Sequence, residues 1–117
     1  MADAFKLLTV VYIHTMYSAR DRVENQQWID ALSAAAAELE LGSEARSNAV
    51  DLFVSHVPDA ERSKPAVAAA ALYAGALVAG QERSQRAVAE AMGVTRLSVQ
   101  SKWKDLLSDA GFRPPTW

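Results

Sequence analysis

The sequence predicts an all-α fold, and three observations carry that reading. Apolar residues recur three and four positions apart along most of the chain. Glycine and proline are sparse, five and four, and most of them fall where helices would start or stop. No pair of alternating apolar and polar runs flanks a hairpin turn, so strands have no sequence support.

The elements follow in order. A first helix is expected over residues 3–18, with Phe5, Leu8, Tyr12 and Met16 on one side. The β-branched Thr9, Val10, Val11 and Ile13 work against it, but a lone strand would find no partner. A polar connector runs to residue 25. The second helix is expected over 26–41, with Trp28, Ile29, Leu32, Ala36 and Leu39 on its apolar face and Gly42 as its terminator. Ser43 would cap a third helix reaching about residue 56, and Val57, Pro58 and Asp59 break the chain after it. Residues 65–79 are apolar on every side and rich in alanine. Such a helix is covered by neighbours all round, and small side chains let those neighbours come close. This is the expected centre of a helical domain, opened by Pro65 and stopped by Gly80. Two short helices, 84–92 and 96–109, complete the domain. Ala110 and Gly111 close the last one, and residues 111–117 form a tail ending in Trp117. The domain proper is expected over 26–110.

Composition narrows the function. The chain of 117 residues fits one domain. It has no cysteine, which removes disulfides, thiolate zinc sites, iron–sulfur clusters and cysteine nucleophiles. No nucleophile–base pair or glycine-rich phosphate loop is visible, and Glu38 and Glu40 point to different helix faces. Neither an enzyme nor a bound cofactor or metal is expected. The longest apolar run, residues 7–13, lies between Lys6 and His14. It is far short of the roughly 20 residues that span a membrane, and no clean signal-peptide pattern accompanies it. A cytoplasmic protein is the expectation. The formal charge of −2 hides a split: residues 1–61 carry four basic and ten acidic side chains, residues 62–117 eight and four. A basic C-terminal half is compatible with a nucleic-acid partner.

Residues 84–108 carry the functional signal. A helix-turn-helix needs a small residue where its helices cross, and Ala89 supplies it. Four positions later it needs a residue that tolerates positive φ, and Gly93 does. Val88, Met92, Val94, Val99 and Trp103 can lock the helices together, and Thr95 can cap the second one. At about 100° per residue, Val99, Trp103 and Leu106 share one side of that helix. Leu97, Gln100, Ser101 and Lys104 stand on the other. Leu97, Gln100 and Ser101 are therefore the candidates for base contact in a major groove. Lys104, Arg96 and Thr95 suit phosphates. So do Ser84, Gln85 and Arg86 at the opening of the preceding helix, with Arg83 beside them.

These residues, taken with those before them, resemble the C-terminal cyclin repeat of transcription factor IIB and its archaeal equivalent, transcription factor B. The shared pattern is Pro65, the alanine-rich stretch ending in Leu72 and Tyr73, the basic entry Arg83, Ser84 and Gln85, the turn over 89–95, and Trp103, Lys104, Asp105 and Leu106. The similarity is close over 64–107 and weaker over 26–57. It implies a five-helix cyclin-like domain with the N-terminal helix as an addition. It further implies duplex DNA as a partner, read beside the TATA box through positions matching Leu97 and Gln100, with TATA-binding protein or other transcription machinery nearby. The family usually has an arginine at Gln100, so a different base preference follows. A zinc ribbon has no cysteines to build it, and the resemblance covers one repeat. A stand-alone derivative in an archaeal setting is the expectation. Two other readings stay open from the residues alone. One is a protein-binding cyclin box, with the N-terminal helix as partner surface or homodimer interface. The other is a helix-turn-helix repressor unrelated to the initiation machinery.

Overall fold

The computed structural model describes residues 25–111. The helix expected over 3–18, the connector up to residue 24 and residues 112–117 of the tail lie outside the described residues. Five α-helices make up the rest: α1 (Gln26–Glu38), α2 (Ser43–Ser55), α3 (Lys64–Val78), α4 (Gln85–Met92) and α5 (Arg96–Asp109), with a 3-10 turn at Glu61–Ser63 before α3.

α3 is the axis of the domain, as its all-round apolar sequence requires. Its ten residues from Val67 to Ala76 are buried without interruption, and it packs against every other helix. Alanine fills six of those ten positions, four before Leu72 and two after Tyr73, so the surrounding backbones approach closely. Around this axis Leu32 of α1, Phe53 of α2, Leu72 of α3, Val88 of α4 and Val99 of α5 are the largest fully buried side chains. Each contributes on the order of 1.5–3 kcal/mol by leaving water. One such residue comes from each helix, and all five belong to a single core cluster, so every element is tied to the same core.

Three helices end with the same device. After α3, the N–H of Gly80 donates to Leu77 O and that of Gln81 to Ala76 O. After α4, Gly93 donates to Glu90 O and Val94 to Ala89 O. Both glycines are left-handed, at φ 75 and 70, the Schellman arrangement that satisfies the last carbonyls. α1 uses it too, with a difference from the sequence expectation. The helix stops at Glu38, three residues early, because Glu40 takes the left-handed position at φ 56. Glu40 and Leu41 then donate to Ala37 O and Ala36 O. Gly42 therefore does not terminate α1. It is extended and stands at the N-cap of α2, the place expected of Ser43, which is instead the first helical residue. The remaining bounds fall within a residue or two of expectation. Ser84 and Thr95 cap α4 and α5, accepting from Ala87 N–H and Ser98 N–H.

Candidate nucleic-acid interface

The last two helices are joined by three residues, Gly93, Val94 and Thr95. The geometry has local causes. Gly93 turns the chain in the left-handed region at no Cβ cost. Thr95 then starts α5 through its Oγ1, which accepts from Ser98 N–H at 3.2 Å and lies 2.9 Å from Ser98 Oγ. Ala89 is buried at 2% exposure on the side of α4 that faces the core. Val99, Trp103, Leu106 and Leu107 form the buried side of α5. Trp103 meets Tyr73 of α3 edge to face, with ring centroids 5.1 Å apart and planes at 69°. That contact anchors the middle of α5 to the central helix.

The opposite side of α5 is open. Leu97 is 69% exposed, an unusual state for a leucine, and Arg96, Gln100, Ser101 and Lys104 are exposed around it. The structure thus brings Leu97, Gln100, Ser101 and Lys104 onto one outward surface. Ser101 Oγ donates to Ser98 O at 3.2 Å, leaving its oxygen lone pairs outward. Lys104 Nζ stands 5.6 Å from the Trp103 ring centroid, held by the electron-rich ring face at the edge of this surface.

The residues before and at the start of α4 divide by role. Ser84 Oγ takes the Ala87 N–H at 3.0 Å, so the N–H groups of Gln85 and Arg86 are those left without an intrahelical acceptor. Arg86 is exposed and pairs with Glu90 one turn on, Nε to Oε1 at 3.4 Å. Such a surface pair is weak and leaves the guanidinium available to a stronger anion. Arg83 differs. Its Nε donates to Leu39 O at 3.0 Å, Nη1 to Gln81 O and Glu82 O at 3.2 Å each, and Nη2 to Glu40 O at 3.5 Å.

Between the start of α4 and the Gln100 edge of α5 lies a cleft of about 350 Å³, lined by Tyr73, Leu77, Glu82, Gln85, Gln100, Trp103 and Lys104. Neither Tyr73, which the sequence marks only as part of the shared pattern, nor Glu82 is among the residues expected at the interface. The available signal was a lone tyrosine in an otherwise apolar helix, whose hydroxyl needs a partner when buried. Tyr73 Oη donates to Glu82 Oε1 at 3.4 Å. Burial pushes the phenol above its ordinary value; a hydrogen bond with the Gln85 side chain opposes this, and the Glu82 charge adds to it. Gln85 Oε1 is buried with no hydrogen-bond partner.

A central alanine-rich helix enclosed by four others, the last two joined by a tight glycine turn, defines a single cyclin-like helical repeat. The family model for the transcription factor TFIIB repeat matches residues 22–109. The chain belongs to the TFIIB repeat family. Transcription initiation factor IIB 1 of Thermoplasma volcanium is 34% identical over 84 residues, covering 66% of this chain and 26% of that protein. Transcription initiation factor IIB of Pyrococcus abyssi is 32% identical over 89 residues, 74% of this chain and 30% of that protein. Transcription initiation factor IIB 2 of Thermococcus kodakarensis reaches 43% over 49 residues, 42% and 16% of the two chains. The chain spans less than a third of the length of these relatives. Among the described residues, no helix is long and apolar enough to cross a membrane.

Proposed function

We propose that this repeat acts in transcription by binding duplex DNA, with α4 and α5 working as a helix-turn-helix and α5 lying in the major groove. Leu97, Gln100 and Ser101 meet base edges. Leu97 contacts a thymine methyl and Gln100 pairs with an adenine edge. Arg86, Arg96 and Lys104 meet phosphates, together with Ser84 and Gln85 at the start of α4 and Thr95 at the start of α5. The observation that carries this reading is the exposed Leu97. It stands among polar and basic side chains on the side of α5 opposite the buried Val99 and Trp103. A single exposed leucine is ordinary on a protein surface; what supports the reading is its place within this polar and basic face, opposite the anchored side of α5, as in a groove-reading helix.

The relatives' names, transcription initiation factor IIB, support a role in transcription initiation; TATA-binding protein, which the resemblance implies, is the neighbour proposed on DNA. The core among the described residues, 29–107, joins all five helices into one unit that presents α5. The deciding experiment selects bound oligonucleotides from a random duplex pool at two salt concentrations, with and without TATA-binding protein. Enrichment of a common site by the chain alone is the expected result. No enrichment in any condition would overturn the reading and favour a protein-binding repeat.

A further inference from the structure

Two of the four hydrogen bonds of Arg83, to Leu39 O and Glu40 O, reach residues more than 40 positions away, and the other two hold its own loop at Gln81 and Glu82. Leu39 and Glu40 follow the last turn of α1, where the outward carbonyls carry the negative end of the helix dipole. Glu40 is also the residue in the left-handed conformation. A second link runs beside the first, since Gly42 N–H donates to Gln81 Oε1 at 2.9 Å. The corner between α1 and α2 is therefore held to residues 81–83 by Arg83 on one side and Gln81 on the other. Ser84, the next residue, is the N-cap that starts α4. Whatever fixes Arg83 fixes where α4 begins. The packing of α4 on α5 then carries that placement to the reading face.

We infer that Arg83 is a positioning residue: it sets the start of α4, and with it the orientation of α5, against the end of α1, and it does not neutralise a phosphate. This rests on the DNA-binding reading of α5. The guanidinium suits the task because its donors form a rigid fork that reaches several carbonyls at once. A lysine would keep the charge and lose the fork, so charge and geometry can be separated.

The test uses the full chain with Arg83→Lys, Arg83→Ala and Gln81→Ala, well below the unfolding temperature of each. Binding is measured to a selected duplex and to a random-sequence duplex across a salt series. Amide exchange is followed at Gly42 and Ala87 without DNA. All three variants should bind the selected duplex roughly 2- to 30-fold more weakly. Their random-sequence affinity and salt slope should match the parent, and exchange at Gly42 and Ala87 should be faster. Parent-like affinity in Arg83→Lys would overturn the inference, as would a salt slope lowered by about one in Arg83→Ala, since each is the mark of a phosphate contact. So would unchanged specific binding in Gln81→Ala. If the parent binds no duplex, the functional reading fails by itself. Exchange then decides the positioning role: faster exchange in Arg83→Lys supports it and parent-like protection overturns it.

Discussion

Gly75 of α3 lies against Ala49 of α2 so closely that a Cβ at position 75 would sit 2.6 Å from the Ala49 nitrogen and 3.0 Å from Ala45 O. Both obstacles are backbone, which cannot rotate away. Asn48 Nδ2 also donates to Gly75 O at 3.5 Å across the same contact. Gly75→Ala should therefore destabilise the domain by about 1–3 kcal/mol through overpacking, despite the better helix propensity of alanine. Urea unfolding checks this. A midpoint at or above the parent's would show that α2 and α3 can separate without loss.

Glu40 is the opposite case, a non-glycine residue at φ 56 in a place where α3 and α4 use glycine. The left-handed conformation costs a residue with a Cβ roughly 1–2 kcal/mol, and glycine returns part of that gain as lost chain entropy. Glu40→Gly should stabilise by about 0.5–1 kcal/mol, read as a rise in the unfolding midpoint. Its carbonyl stays in place for Arg83, so exchange protection at Gly42 should be unchanged.

These two positions show what the sequence could and could not carry. The turn at Gly93, the cap Thr95 and the two sides of α5 were legible because each depends on residues within one helical turn. The centrality of α3 was legible because an apolar surface on all sides has no other stable placement. The end of α1 was not legible, because local propensity favours the nearby Gly42 over Glu40 as terminator, while the Glu40 carbonyl is held from far along the chain by Arg83. The partners of Arg83 and the Tyr73 cleft were illegible for one reason: they join residues far apart in sequence, and no local spacing encodes them.

Tyr73 gives a pH dependence with a definite sign. Burial raises its phenol pKa in the folded state, whereas in the unfolded chain it titrates near about 10. The folded state then holds the proton more tightly. The contribution is fully present below the unfolded value and is lost as pH climbs through the higher folded one. Tyr73→Phe removes this proton linkage together with the hydrogen bond to Glu82. Chemical-denaturation midpoints taken from pH 8 to 11 should fall less steeply for Tyr73→Phe than for the parent. Parallel curves would mean that the hydroxyl is not distinguished by the fold.

Lys104 and Gln100 share the outward side of α5 but should fail in different ways when truncated. Lys104 is a point charge resting on Trp103. Its contact with a phosphate is indifferent to sequence and releases about one counterion. Lys104→Ala should weaken binding to specific and random duplexes alike and lower the salt slope by about one. Gln100 has both a donor and an acceptor on one amide and can match a base edge, a contact worth roughly 1–3 kcal/mol of discrimination. Gln100→Ala should leave random-sequence affinity and the salt slope near the parent's while the preference for one base position relaxes. Trp103 packs on Tyr73 on the buried side of α5, so neither truncation should displace the helix, and unchanged far-UV circular dichroism and unfolding midpoints check this. Anisotropy titrations against a selected duplex and its single-position variants measure all of these quantities together. If the two truncations prove interchangeable in salt slope and base preference, α5 does not lie in the groove with Gln100 toward the bases.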